Sequence, residues 1–308
     1  MTTALLSHPS GLNHVTPPGH PEQVARLASV LDALDGVDVL RVEPPEATAR
    51  DVELAHPPGY FEAILAKIPQ DGMAALDPDT FLSATSREGV LRAAGAVIKA
   101  VNLVMAGEAQ NAFCAMRPPG HHAEAETPMG VCFFGNVAIG AKHALARHGL
   151  ERVAVVDFDV HHGNGTQDLL WDEGRAFFAS THQSPLYPGT GAPHERGAHG
   201  NILNCPLPSG ADGLAFRKVM ERDVLPAVEA FAPQMLFISA GFDAHRADPL
   251  ANLNLEVADF EWATEALCAL AAEHCEGRVV SVLEGGYDLP ALGACARAHV
   301  DALRRASA

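Results

Sequence analysis

Short apolar runs recur along the chain, and most are followed by a stretch whose apolar residues return at helical spacing. The runs cover residues 4–8, 111–116, 153–156, 176–180, 202–206, 234–239 and 279–283. They are continuous rather than alternating and are bounded by Gly, Pro or Asn, the pattern of strands buried on both faces. Helical spacing occupies 21–34, 86–106, 136–148, 166–172, 211–230, 256–273 and 290–305, with Ser86 placed to cap its helix and Gly107 and Gly149 placed to stop theirs. A helical pattern over 51–68 is broken by Pro57, Pro58 and Gly59. Strands alternating with helices predict an α/β chain built on a mainly parallel sheet covered on both faces. No repeat, low-complexity tract or linker divides it, so residues 1–308 read as one domain.

In such sheets the ligand sits beyond the carboxyl ends of the strands, and here those ends carry reactive groups. One run leads through Arg117-Pro118-Pro119-Gly120 to His121-His122, another into Asp157-Phe158-Asp159-Val160-His161-His162. A third reaches Asp243, and a fourth leads through Gly285-Gly286 to Tyr287. Two carboxylates and an imidazole, Asp159, His161 and Asp243, suit a divalent metal and leave positions open for water and substrate, the mark of a catalytic rather than a structural site. A histidine pair supplies base and acid near neutral pH. Tyr287 can donate to an oxyanion. Metal, base, acid and oxyanion donor together describe hydrolysis of an amide-type bond. The loop over 181–200, rich in Gly, Pro and His, is long enough to be functional.

Composition narrows the partners. Hydrophobic residues make up 48% of the 308 and charged residues 19%, as in a globular protein. A formal net charge of −17 argues against nucleic acid as a direct partner, because binding phosphates needs a basic face, and weakly favours cationic substrates. No apolar run approaches a membrane span, and the opening MTTALLSHPSG lacks the basic segment of a secretory signal. Six cysteines show no paired spacing and several lie within apolar runs, which predicts buried free thiols and a cytoplasmic setting.

The longer motifs go further. RPPGHHAEAETPMGVCFF (117–134), DFDVHHGNGT (157–166), YPGTG (187–191), SAGFDAHRADPL (239–250) and LEGGY (283–287), with Gly19-His20-Pro21-Glu22 and Arg26-Leu27 near the start, resemble the signatures of the histone deacetylase superfamily, nearest its class II and bacterial members. The resemblance implies the arginase/deacetylase fold, with an eight-stranded parallel sheet flanked by helices in a single domain. It also implies a metal-dependent deacetylase acting on acyl-lysine or small acylated amines, acetylpolyamines among them, in which Asp159, His161 and Asp243 bind one catalytic Zn2+, or Fe2+ in its place. A non-catalytic binder of acyl metabolites is the reading from a different class. His121 and His122 become the tandem histidines, His122 the base. Asp157 orients His121 and, with Ser180, belongs to a structural K+ or Na+ site, and Tyr287 is the catalytic tyrosine. Asn164 stands where class I relatives pair the second histidine with Asp, and a neutral partner raises the imidazole pKa less. Gly130, Val131 and Tyr187 line the substrate channel, Val131 replacing an aromatic wall and so widening one side. Pro58 falls where class I relatives grip peptide with Asp. His245 and Asp248, beside Asp243, resemble a second-metal pattern only loosely, so one catalytic ion is expected. A homo-oligomer is compatible with all of this.

Overall fold

The computed structural model describes residues 2–308. In chain order the elements are β1 (Thr3–Leu6), α1 (Val24–Ala33), β2 (Leu40–Val42), α2 (Ala49–Val52), α3 (Tyr60–Leu65), β3 (Met73–Ala75), β4 (Phe81–Ser83), α4 (Ser86–Met105), β5 (Asn111–Cys114) and α5 (Asn136–Arg147). There follow β6 (Val153–Asp157), α6 (Asn164–Leu170), β7 (Ala176–Gln183), β8 (Ile202–Leu207), α7 (Gly213–Val219), α8 (Leu225–Phe231), β9 (Met235–Ala240), α9 (Val257–His274), β10 (Val279–Leu283) and α10 (Leu289–Ala306). Eight strands form one parallel sheet in the order β2-β1-β5-β10-β9-β6-β7-β8, and β3 and β4 make a separate antiparallel hairpin.

Strand residues point alternately to the two faces. Leu5, Phe113, Val156 and Ile238 face one core layer, closed by Leu27 of α1, Phe260 and Leu267 of α9 and Val300 of α10. Leu6, Cys114, Val155 and Phe237 face the other, closed by Val97 and Val101 of α4 and Val137 of α5. A fully buried Phe or Leu contributes about 1.5–3 kcal/mol, so these layers hold the sheet with little help from its edges. All six cysteines are buried and unbridged, as their apolar settings predict.

The two strands added last decide where chemistry can occur. After β8 the chain returns to the middle, and β9 and β10 insert between β6 and β5. The four strands whose ends carry His121-His122, Tyr287, Asp243 and Asp159/His161 thereby become neighbours, in the order β5-β10-β9-β6.

Three features depart from the periodicity. β2 is three residues long at the sheet edge, with Leu40 and Arg41 exposed, so it has no apolar signature. The helix expected over 211–230 is interrupted by one π turn, Met220–Val224, just before Pro226. Proline donates no N–H and its ring crowds the carbonyl four residues back, so the chain widens there. Ser86 does not cap α4; its hydroxyl takes the Ser83 N–H at 2.8 Å and bonds His14 at 2.7 Å.

Candidate active site

Asp157 ends β6, and the extended backbone beyond it projects Asp159 and His161 to the same side. Asp243 arrives three residues after β9. The His161 Nδ1 lies 3.2 Å from an Asp159 oxygen and 3.1 Å from an Asp243 oxygen, and one ligand atom from each residue falls within 4.8 Å of the other two. All three side chains are buried. Main-chain N–H groups of His161 and Gly285 donate to Asp159, and that of Val160 to Asp243. Gly241 and Gly285 pass so close that a Cβ on either would collide with the Asp159 or Asp243 carboxylate.

The electrostatics suit a cation. Burial raises the Asp243 carboxyl, and neighbouring Asp159 adds to it. Burial also opposes charge on Asp159, but His121 and His161 outweigh it and hold that carboxyl well below its usual range. For His161 burial is again outweighed, by hydrogen bonds to Asp159 and Asp243, which lift its pKa to about 10. One proton on Nδ1 is thus shared between two carboxylates. A divalent ion meets the same three donors with more charge, and one imidazole with two carboxylates is a donor set that zinc accepts.

The histidine pair sits beside this cluster, ring centroids 4.0 Å apart. His121 Nδ1 bonds Asp157 at 3.0 Å, and His122 Nδ1 bonds the Asn164 side-chain oxygen at 2.7 Å. Asn164 in turn donates to Glu124 at 2.7 Å. These partners drive the two rings apart. Burial would lower His121, but Asp159 and Asp157 outweigh it and its pKa is raised well above the usual value. His122 is lowered well below, by burial and by His121 and His161, against which the bond to Asn164 is the weaker influence. Beneath the pair, Glu284 accepts the main-chain N–H groups of Gly120 and His121, and burial pushes its carboxyl up to about 7. Ser180 pairs in register with Asp157 across β6 and β7, and its hydroxyl bonds His182 at 2.9 Å.

Tyr287 completes the floor of a cavity of about 260 Å³ reached also by His122 and His161. Burial raises the phenol well above its usual range, so the hydroxyl keeps its proton. Gly130 and Val131 line one wall and Leu186, Tyr187 and Leu250 the others. The Tyr187 ring meets His122 edge-on at 5.2 Å and is 42% exposed. Val131 adopts φ +62°, unusual for a β-branched residue, with its N–H on the Thr80 hydroxyl at 3.0 Å.

Known proteins resemble this chain in sequence and in fold. A family described as the histone deacetylase domain matches residues 20–303. A probable deacetylase of Archaeoglobus fulgidus is 38% identical over 94% of this chain and 82% of its own length. A histone deacetylase-like amidohydrolase of Pseudomonas aeruginosa is 40% identical over 94% of this chain and 79% of its own. The crystal structure of the HDA15 HD domain superposes with a TM-score of 0.93 at 31% identity, covering 99% of this chain and 88% of that one. The chain belongs to the histone deacetylase family.

As a histone deacetylase family member it carries deacetylase-type hydrolase chemistry on acylated substrates, and its eight-stranded parallel sheet matches that of the solved relative. The residues singled out in its sequence meet at one end of the sheet: His121, His122, Asp157, Asp159, His161, Asn164, Asp243 and Tyr287 around the floor, with Gly130, Val131 and Tyr187 on the walls. Pro58 does not line the cavity. The carboxylate at its mouth is Asp79, between β3 and β4, beside His20, whose ring bonds the Asp79 carbonyl at 3.0 Å. That hairpin has no periodic signal, so the sequence hid it.

Other residues gain roles only in three dimensions. Arg26 lies over the Tyr287 ring at 4.8 Å and donates to the carbonyls of Gly286 and Glu284 at 2.6 and 2.5 Å. Glu22 is gripped by Arg26 and Arg117. The pattern Gly19-His20-Pro21-Glu22 with Arg26 marks the segment, but the main-chain partners of Arg26 lie near the far end of the chain. No helix among the described residues is long and apolar enough to cross a membrane.

Proposed function

We propose that the chain is a zinc-dependent amidohydrolase that removes acetyl or other short acyl groups from acyl-lysine or small acylated amines. The observation that carries this reading is a pair of adjacent histidines, one bonded to Asp157 and the other to Asn164, beside a buried Asp-His-Asp cluster on the floor of an apolar-walled channel. Bound by Asp159, His161 and Asp243, zinc, or ferrous iron in its place, would supply Lewis acidity to the acyl oxygen and to the attacking water.

The chain's own groups do the rest. The neutral His122 places its Nδ1 proton on Asn164, which leaves the Nε2 lone pair to take a proton from the attacking water and pass it to the departing amine. His121, kept charged by Asp159 and Asp157, favours the negative charge that develops on the substrate. Tyr287 donates its hydroxyl hydrogen to the developing oxyanion, a contribution on the order of 10²–10³ in rate. A channel walled by Val131, Leu186, Tyr187 and Leu250 suits the alkyl chain of a linear acylated amine. A K+ or Na+ ion beside Asp157 and Ser180 would stiffen the base of the site, and cytoplasmic work on free acylated amines fits the acidic chain.

The expected result is cleavage of a fluorogenic acetyl-lysine amide by zinc-loaded protein, its loss on chelation, and a 10²–10³-fold fall in kcat for Tyr287→Phe. Unchanged turnover in Tyr287→Phe removes the oxyanion role. Hydroxamate binding without any hydrolysis replaces the enzyme with a binder of acyl metabolites. A second reading, acylpolyamine substrates, is favoured by Asp79 at the mouth and the net charge of −17. A higher kcat/KM on acetylputrescine than on an acetyl-lysine peptide decides for it.

A further inference from the structure

Asp248 is the one carboxylate of the SAGFDAHRADPL motif that the chemistry above does not use. It is 7% exposed, five residues beyond Asp243. One of its oxygens accepts the Tyr287 main-chain N–H at 2.7 Å and, more weakly, that of Asp288 at 3.4 Å. The other accepts the Leu250 N–H at 3.0 Å. Both oxygens therefore hold main-chain donors, and Asp248 lies outside the Asp159, His161 and Asp243 cluster.

The loop between these carboxylates has a fixed path. The Phe242 N–H donates to the Gly285 carbonyl at 2.9 Å, which ties the segment after β9 to the segment after β10. Asp248 makes the second tie farther out, beyond the turn at 243–247. Between the two ties lie Asp243 on one segment and Gly286 on the other, and Tyr287 sits at the second tie itself. Gly286, at φ +127°, provides no stiffness of its own just before the tyrosine.

We propose that Asp248 is a positioning residue for Tyr287, fixing the tyrosine's main chain against the loop that begins at Asp243 so that the phenol hydroxyl stays in register with the cation-binding carboxylates. This rests on the reading of Tyr287 as the oxyanion donor. Leu250, ordered by the same carboxylate, brings the rim of the channel into the same arrangement.

Asp248→Asn tests it. The amide keeps one acceptor and turns an NH2 toward a main-chain N–H, so one of the two ties is lost while side-chain volume is kept. kcat is expected to fall about 10–100-fold, since a displacement near 1 Å costs about that much, with KM little changed. In a Tyr287→Phe background the same substitution is expected to cost no more than about twofold, the margin for independent sites. An equal loss in both backgrounds overturns the proposal, because a general structural role would not depend on the phenol. Native-state amide exchange gives a second measurement that needs no activity: the Tyr287 amide exchanges faster in metal-free Asp248→Asn than in wild type, and unchanged exchange overturns the clamp. Should Asp248→Asn fail to fold, Asp248→Ser, whose hydroxyl offers a single acceptor, takes its place in both measurements. Wild-type protein that hydrolyses no acyl amine overturns the catalytic reading of Tyr287, whereas the exchange result bears on the clamp alone.

Discussion

Two groups of buried charges flank Tyr287, and they are built on opposite principles. In the first, Glu22 lies between Arg26 and Arg117, and every donor has an acceptor: Arg117 reaches both Glu22 oxygens and the Gly11 carbonyl, Arg26 reaches Glu22, Gly286 and Glu284. Burial opposes charge on Glu22, but Arg117 outweighs it and holds the carboxyl at about 2. In the second, Asp159 and Asp243 face each other with one imidazole between them, and burial with the neighbouring charge pushes Asp243 up. The first network is closed, each guanidinium nitrogen and each Glu22 oxygen having a partner, and with two guanidinium groups to one carboxylate it offers nothing to a cation. The second carries more negative charge than its own residues can compensate. A closed buried network fixes geometry, whereas an unbalanced one stores affinity for a cation.

The sharpest way to break the comparison is Asp243→Asn. In the open cluster it should abolish zinc uptake and lower turnover by at least 10³-fold, yet the metal-free variant should melt at or above metal-free wild type because opposed charge has been removed. Zinc content, initial rates and thermal melts read all three. A metal-free variant that melts well below wild type would show that the open cluster supports the fold after all. Glu22→Gln should do the reverse, costing about 3–5 kcal/mol in urea unfolding because two buried guanidinium groups lose their counter-charge. A loss under 1 kcal/mol would show that the network is not closed as described.

Zinc itself separates the clusters next. At 100-fold excess over its Kd it should stabilise wild type by about 2.7 kcal/mol. The same gain is expected in folded Glu22→Gln and none in Asp243→Asn. A zinc-induced rise in the melting temperature of Asp243→Asn would move the metal site elsewhere.

The smallest effect is a pH dependence confined to the closed cluster. Burial lowers His14 from 6.5 to about 4, despite the attraction of Glu22. A depressed histidine binds its proton more readily in the unfolded chain, so stability is lost as pH falls from about 6.5 toward 4. Glu22, depressed from 4.5 to about 2, extends the loss below pH 4.5. Between pH 7 and 5.5 the His14 contribution is about 1 kcal/mol. Chemical denaturation of His14→Asn should show a correspondingly flatter slope over that interval, and an unchanged slope would assign the dependence to other histidines.

Much of this was legible along the chain, and the exceptions have physical causes. Fully buried strands such as Val153–Asp157 and Val279–Leu283 announce themselves because both faces are apolar. β2 and the β3–β4 hairpin do not, because short exposed strands at an edge need no hydrophobic pattern. Asp159 and His161 could be paired from spacing alone. Arg26 and Asp248 could not be connected to Tyr287, since their partners are main-chain groups 260 and 39 residues away.

The sequence by itself determined which groups would stand at strand ends, because local spacing and alternation decide which way a side chain leaves a strand. It determined the chemistry available: two carboxylates with an imidazole, a histidine pair, a tyrosine after two glycines. The tertiary structure decided that these groups meet. Only the insertion of β9 and β10 between β5 and β6 places Asp243 and Tyr287 between the histidines and Asp159, an order no local signal encodes. It also decided how the pair is tuned: His121 and His122 are adjacent and chemically identical, and their pKa values are driven apart because Asp159 and Asp157 outweigh burial at one ring while burial and the neighbouring imidazoles lower the other.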